Sequence, residues 1–144
     1  MFKSLIFSAL VLILPMSTIA QSKFLDSVDE TKKFSEGIVA SIATGNMPGA
    51  TKELRQVIII SNAEFDLFEA QLATQAGNFL NQIGLPIGYE FLQESRLGTN
   101  LVRQQFLVLH EKAAMRVNMV FYKTRKGWAV SHFFFDVNAL TFFQ

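Results

Sequence analysis

The sequence has 144 residues, half of them hydrophobic, with 13 Lys plus Arg against 12 Asp plus Glu, fifteen Phe and no Cys. A near-neutral chain without a run of either sign lacks the basic patch that displaces counterions from nucleic acid and the polybasic surface that docks on anionic membranes. Without cysteine there are no disulfides, so packing, in which phenylalanine is prominent, must supply the stability.

In chain order, Lys3 provides a positive start, Leu5 to Leu14 an apolar run, and Pro15 a break before Met16-Ser17-Thr18-Ile19-Ala20. This is the pattern of a bacterial secretory signal, with cleavage expected after Ala20 because Thr18 and Ala20 place small side chains where the peptidase reads them. A membrane anchor needs about 20 apolar residues and this run is roughly half that. The lipid-modified alternative needs a thiol. The expectation is therefore residues 1–20 as signal peptide and residues 21–144 as a single domain, periplasmic or secreted, with no membrane anchor after cleavage. About 124 residues remain after that cut, with acidic and basic residues in balance, the size of one ordinary domain.

Ser27-Val28-Asp29-Glu30 has the capping-box form, and apolar residues then recur at helical spacing, which predicts a helix from Val28 to Thr44. Gly45-Asn46 reads as its stop and Met47-Pro48-Gly49 as a tight connection. A short helix is expected from Thr51 to Ile58, although Val57 to Ile60 alone reads equally well as strand. Ser61 and Glu64 repeat the capping box. Phe65, Phe68, Leu72, Ala76, Phe79, Leu80 and Ile83 then trace one apolar face until Gly84 ends the helix and Pro86 prevents its resumption.

From Gly88 the period falls to two, and strands are predicted at Tyr89–Leu97, Leu101–Glu111, Met115–Lys123 and Trp128–Val137. Their short connections demand antiparallel neighbours. Helices first and a meander afterwards is an α+β arrangement, with N-terminal helices packed on a curved four-stranded antiparallel sheet.

Symmetric closure of the hairpins puts Val102, Phe106, Val108 and His110 on one face with Met115, Val117, Met119 and Phe121, and with Trp128, Val130, His132, Phe134 and Asp136. That face is expected to meet the helices. The other carries Tyr89, Phe91, Leu107, Leu109, Val120, Tyr122, Phe133 and Phe135 among polar residues, too apolar to be left wholly in water. Two coverings fit: a homodimer through this outer sheet face, or shielding by the termini and by arginine stems. A bulge in any strand inverts the assignment.

The element order, together with Phe121-Tyr122-Lys123, Gly127-Trp128-Ala129-Val130 and Phe133-Phe134-Phe135-Asp136-Val137-Asn138, resembles the nuclear-transport-factor-two-like superfamily, the cystatin-like α+β cone, and within it small secreted bacterial members. The resemblance covers nearly all of the chain after the signal, through structural motifs. It implies three helices around a bent sheet, an apolar pocket, frequent dimerisation through the sheet, and either a binding module or an enzyme that moves protons with pocket Asp, His and Tyr residues. Under that implication the residues to examine are His110, His132, Asp136, Tyr122 and Glu90. No catalytic pattern of the isomerases or dehydratases matches, so none is carried over. The register separates His110 from Asp136 by two strand spacings, about 10 Å, and His132 from Asp136 by about 13 Å along one strand.

Two functions follow as expectations. The first is a non-enzymatic module that binds a small apolar ligand or an envelope protein, with Trp128, Tyr122 and Met119 as candidate ligand contacts, Trp128 and Met119 reading also as core. The alternative is a proton-transfer enzyme, isomerase or dehydratase in type, acting on an apolar substrate through a His/Asp pair drawn from His110, His132 and Asp136. No cofactor is indicated, and two histidines on non-adjacent strands fall short of the four ligands of a closed zinc site.

Overall fold

A computed structural model describes residues 23–144; the expected signal segment and its Ala20 cleavage site lie outside them. Three helices, α1 (Val28–Ala43), α2 (Met47–Val57) and α3 (Asn62–Ile83), precede four strands, β1 (Pro86–Leu97), β2 (Leu101–His110), β3 (Ala114–Thr124) and β4 (Gly127–Asp136), and a short 3-10 turn at Ala139–Thr141. The sheet is an antiparallel meander in the order β1-β2-β3-β4. The α+β class, the three helices and the four strands all match the sequence reading.

The helix starts follow from side-chain caps. Ser27 Oγ accepts the Glu30 N–H at 3.2 Å, while the Glu30 carboxylate reaches back one residue further than a capping box requires, to the Asp26 N–H at 2.8 Å. Asn46, read from sequence as part of a stop, is the N-cap of α2, its side chain accepting the Gly49 N–H at 3.0 Å. Met47-Pro48-Gly49 is therefore the first helical turn and not a connection, because proline needs no N–H partner there. After Val57 the backbone becomes extended, and Ile58 forms a parallel bridge with Val130. The helix reading thus holds through Val57, and of the strand reading only a single bridge at Ile58 is realised. At α3 the full capping box between Ser61 and Glu64 is present. Arg55 ties α2 to α3 through Asp66 at 2.6 Å and Glu69 at 3.2 Å, and the hydrogen bond to Asp66 raises its already high pKa.

One register shift decides which residues meet the helices. Val120 pairs with His132 but Phe121 pairs with Val130, so Ser131 is an extra residue in β4. Side chains alternate strictly along a strand, and an extra residue inverts everything beyond it. Trp128 and Val130 face the helices as expected, but Phe133 and Phe135 also turn inward, while His132, Phe134 and Asp136 turn outward, the reverse of the sequence assignment. Phe133 then meets Phe68 of α3 with ring centroids 6.0 Å apart, and Phe135 meets Phe79 at 5.2 Å. Tyr89 and Phe91 are a second correction. Pairing with Val108 and Phe106 places them on the helix side, where Lys32 of α1 lies 4.3 Å over the Phe91 ring.

Phe65, Phe106 and Phe121 are fully buried at the centre of the apolar cluster. Beneath α1 the core contains a satisfied polar knot. Gln104 of β2 accepts the Ser35 hydroxyl at 2.6 Å and donates to Thr31 Oγ1 at 3.0 Å and to Glu94 at 3.2 Å. Buried amides are tolerated when every polar atom is partnered, and such a network fixes how α1 sits on the sheet.

The outer face loses Tyr89, Phe91, Phe133 and Phe135, keeps Leu107, Leu109, Val120 and Tyr122, and gains Phe134. It is crossed by an amide row in which Gln93 donates to Gln105 and Gln105 to Asn118. The C-terminal tail covers part of it, for Arg116 donates to the Thr141 carbonyl at 2.9 Å and lies over the Phe142 ring.

Candidate functional site

Only Phe65, Leu72 and Ile83 of α3 are buried, so this helix stands on the sheet largely through long phenylalanine side chains. The space left under its C-terminal half is an apolar cleft. Ile42 and Gly45 at the end of α1, Met47 of α2, Ala76, Phe79 and Leu80 of α3, Pro86 of β1, His110 of β2, Met115 of β3 and Phe135 of β4 line it. Its volume is about 50 Å³, within a depression of about 400 Å³ when the part open to solvent is included.

His110 is the one ionisable side chain in that lining. It is 9% exposed, and its Nδ1 lies 2.8 Å from the carbonyl oxygen of Gly84. A carbonyl only accepts, so the proton on this nitrogen is assigned by its partner: Nδ1 carries hydrogen and donates it. Nε2 is buried and has no hydrogen-bond partner in the protein. In the neutral ring Nε2 is therefore an unpartnered acceptor, buried beside the cleft that His110 lines.

The carbonyl that sets this tautomer is itself clamped. Gly84 ends α3 with φ 84°, and a Cβ there would come within 2.5 Å of Glu111 Oε2. Glu111 Oε2 accepts the Leu85 N–H at 3.0 Å, the Glu111 N–H donates to the Leu85 carbonyl at 3.1 Å, and the Lys112 N–H to that of Ile83 at 2.9 Å. The α3–β1 turn is thereby locked to the β2–β3 hairpin on both sides of the His110–Gly84 contact.

The other residues singled out in the sequence lie elsewhere. His132 is exposed on the outer face, its Nδ1 3.0 Å from Ser131 Oγ. Asp136 is on the same outer face, accepting from Arg116 at 3.0 and 3.2 Å. The His110/Asp136 pair expected on one face is split between the two sides of the sheet by the Ser131 bulge, and His132 is carried away from the helices by the same insertion. Trp128 is 4% exposed in the core, with its backbone paired to Leu25. Met119 is fully buried under α1, with Sδ 3.4 Å from Ser35 Oγ, and Tyr122 is 46% exposed. None of these three lines the cleft. Glu90 is exposed. Among the described residues no group of three or more His, Cys, Asp or Glu is placed to hold a metal ion.

Sequence reasoning missed Gly84, Glu111, Ala76 and Phe135 as parts of this site. Gly84 had a signal, as a helix-ending glycine just before Pro86, but its service to His110 spans 26 positions and belongs to tertiary structure.

No family model matches the chain, and no curated protein matches it. Among solved structures, one from Campylobacter jejuni, provisionally named an NTF2-like transpeptidase, is similar with a TM-score of 0.51 at 14% identity, over 71% of this chain and 97% of its own. The fold is NTF2-like. A DUF4783 family protein from Bacteroides uniformis is similar over 72% of this chain and 95% of its own, at 18% identity and a TM-score of 0.45. At such identities the likeness concerns the fold, and an NTF2-like fold hosts sites of different chemistry. In this NTF2-like fold the cleft lies between helices and sheet, where the α3–β1 turn meets the β2–β3 hairpin.

Proposed function

We propose that this chain is a non-enzymatic binding module for a small apolar ligand, held in the cleft between α3 and the sheet. The observation that carries this reading is a cleft between helices and sheet whose lining is apolar apart from His110. The volume of about 50 Å³ is below the roughly 150 Å³ of an apolar cavity that encloses benzene. The ligand is accordingly small, or places only one end in the cleft.

Binding is favoured over turnover because moving a proton on and off a substrate calls for positioned acid and base groups, and the lining offers one ionisable side chain. The name of the Campylobacter protein does not transfer either. Acyl transfer through an enzyme intermediate needs a nucleophile, the chain has no cysteine, and no serine or threonine lines the cleft. Export to the periplasm or medium, supported by the Lys3, Leu5–Leu14 and Ala20 pattern, would place the module among envelope molecules.

Native mass spectrometry of the purified protein with added linear alkyl probes, narrow enough to place one end in the cleft, tests this reading, with Ala76→Phe as the variant that fills the cleft. The wild type should show saturable one-to-one adducts that the variant loses. Equal adducts in both proteins, or none in the wild type, would overturn it.

A further inference from the structure

The side of the sheet turned away from the helices holds another depression, at the end where β1 turns into β2, and Arg103 lines it. We infer that this depression binds a small apolar monocarboxylate, an aryl or alkyl acid, whose charge Arg103 takes while its hydrocarbon lies on Leu97, Leu101 and Val120.

The strand register places these side chains together. Arg103 of β2 pairs with Ser95 of β1 on one side and with Val120 of β3 on the other, and Leu101 pairs with Leu97. Residues opposite one another across strands, and those two apart along one strand, share a face. That face is the outer one, because Val102 and Gln104, which flank Arg103, are buried on the helix side. Ser95, Leu97, Leu101, Val102, Arg103 and Val120 line the space between them, which has a volume of about 210 Å³. A cavity of roughly 150 Å³ already encloses benzene. An aromatic ring therefore fits.

The charge identifies the ligand class. Arg55, Arg96 and Arg116 each pair with a carboxylate of the chain. Arg103 is exposed and has no hydrogen-bond or ion-pair partner among the described residues. The outer-face carboxylates Glu90 and Asp136 both belong to the row of Leu107, about 13 Å along β2 from Arg103. Asp136 is moreover held by Arg116. Glu94, beside Ser95, turns to the helix side, where it accepts from Gln104 and Arg96. A guanidinium presents a planar fork of donors that matches a carboxylate with two parallel hydrogen bonds. One cation in an otherwise uncharged lining neutralises one negative charge, whereas a phosphate monoester carries nearly two. A neutral molecule of the same shape gains the apolar contact alone.

This site shares no lining residue with the helix-side cleft, so the two are tested independently. Benzoate and benzamide, alike in shape and different in charge, are the probes. NMR titration at about pH 7, where a carboxyl is ionised and arginine charged, would follow the methyls of Leu97, Leu101 and Val120 and the Arg103 Nε–H. Benzoate should shift these resonances saturably and bind more tightly than benzamide. In Arg103→Gln, a substitution at an exposed and unpartnered position, the benzoate-to-benzamide affinity ratio should fall about fivefold, the scale of an exposed ion pair. Arg125→Gln, which removes the same charge from the exposed β3–β4 turn, should leave the ratio unchanged. A ratio that survives Arg103→Gln, or that falls equally in Arg125→Gln, overturns the assignment, as does failure of benzoate to bind. Benzoate shifts confined to the Leu80 and Met115 methyls also overturn it, while leaving the helix-side cleft as a binding site.

Discussion

His110 donates its Nδ1 proton to the carbonyl of Gly84 at 2.8 Å, so the residue that terminates α3 also decides which ring nitrogen carries the proton. A helix stop and a binding-site tautomer are here one structural device. Each depends on a backbone conformation, φ 84° with ψ −169°, that is essentially reserved for glycine.

Gly84→Ala should therefore lower stability by about 2 kcal/mol, with Glu111 displaced from the Leu85 N–H by the new methyl. Gly77→Ala is the control. Gly77 lies inside α3 with nothing within 4 Å of an added Cβ, and the same substitution there should raise stability by about 0.5 to 1 kcal/mol. Urea unfolding of the two variants would show shifts of opposite sign.

The bulge at Ser131 makes neighbouring phenylalanines unequal. Phe133 is 8% exposed against Phe68, whereas Phe134 is 47% exposed on the outer face. Phe133→Ala should cost about 3 to 5 kcal/mol and Phe134→Ala less than about 1 kcal/mol. A larger loss at Phe134 than at Phe133 would mean that β4 runs without the extra residue.

Gln104→Leu should destabilise by about 2 kcal/mol or more. It keeps the volume roughly but strips the Ser35 hydroxyl of its shortest partner and Thr31 and Glu94 of a donor. Because these groups act as one network, Ser35→Ala should cost clearly less in the Gln104→Leu background than in the wild type. A double-mutant cycle by chemical denaturation measures the difference.

At the start of α3, Ser61→Ala should cost about 1 kcal/mol through loss of the cap. Hydrogen bonds from the Ser61 backbone N–H, and then from its hydroxyl, lower the pKa of Glu64. A carboxyl more acidic in the folded than in the unfolded chain contributes stability that is complete above the unfolded value, about 4.3, and is lost as pH falls through the folded one. The Tm gap between wild type and Glu64→Gln should accordingly be largest near neutral pH and close in acid. A gap that widens in acid would contradict the capping role.

Much of the architecture was legible because local signals and packing agree. Ser61 and Glu64 announce α3 through a capping box that the structure realises in full, and alternation marks β2 and β3 with the correct inward face. What failed were the points where one residue changes a parity or a role. Asn46 serves equally as a stop after α1 and as the N-cap of α2, and only the Pro48-Gly49 turn that follows resolves it. Ser131 gives no sequence mark of being an extra residue, so Phe133 and Phe134, adjacent and chemically identical, were assigned to the wrong sides. His110 was visible as a candidate, but its partner Gly84 was not, since the bond between them requires the closed turn and hairpin. Asp136 was paired with it only by assuming an unbulged strand.

The central claim, that ligand is held under the C-terminal half of α3, is tested most directly by intermolecular NOEs from a bound linear alkyl probe. Contacts from the probe to the methyl of Met115 on the sheet wall and to the methyls of Leu80 on the helix wall are the predicted result. Contacts confined to outer-face residues such as Tyr122 and Leu107 would contradict the account.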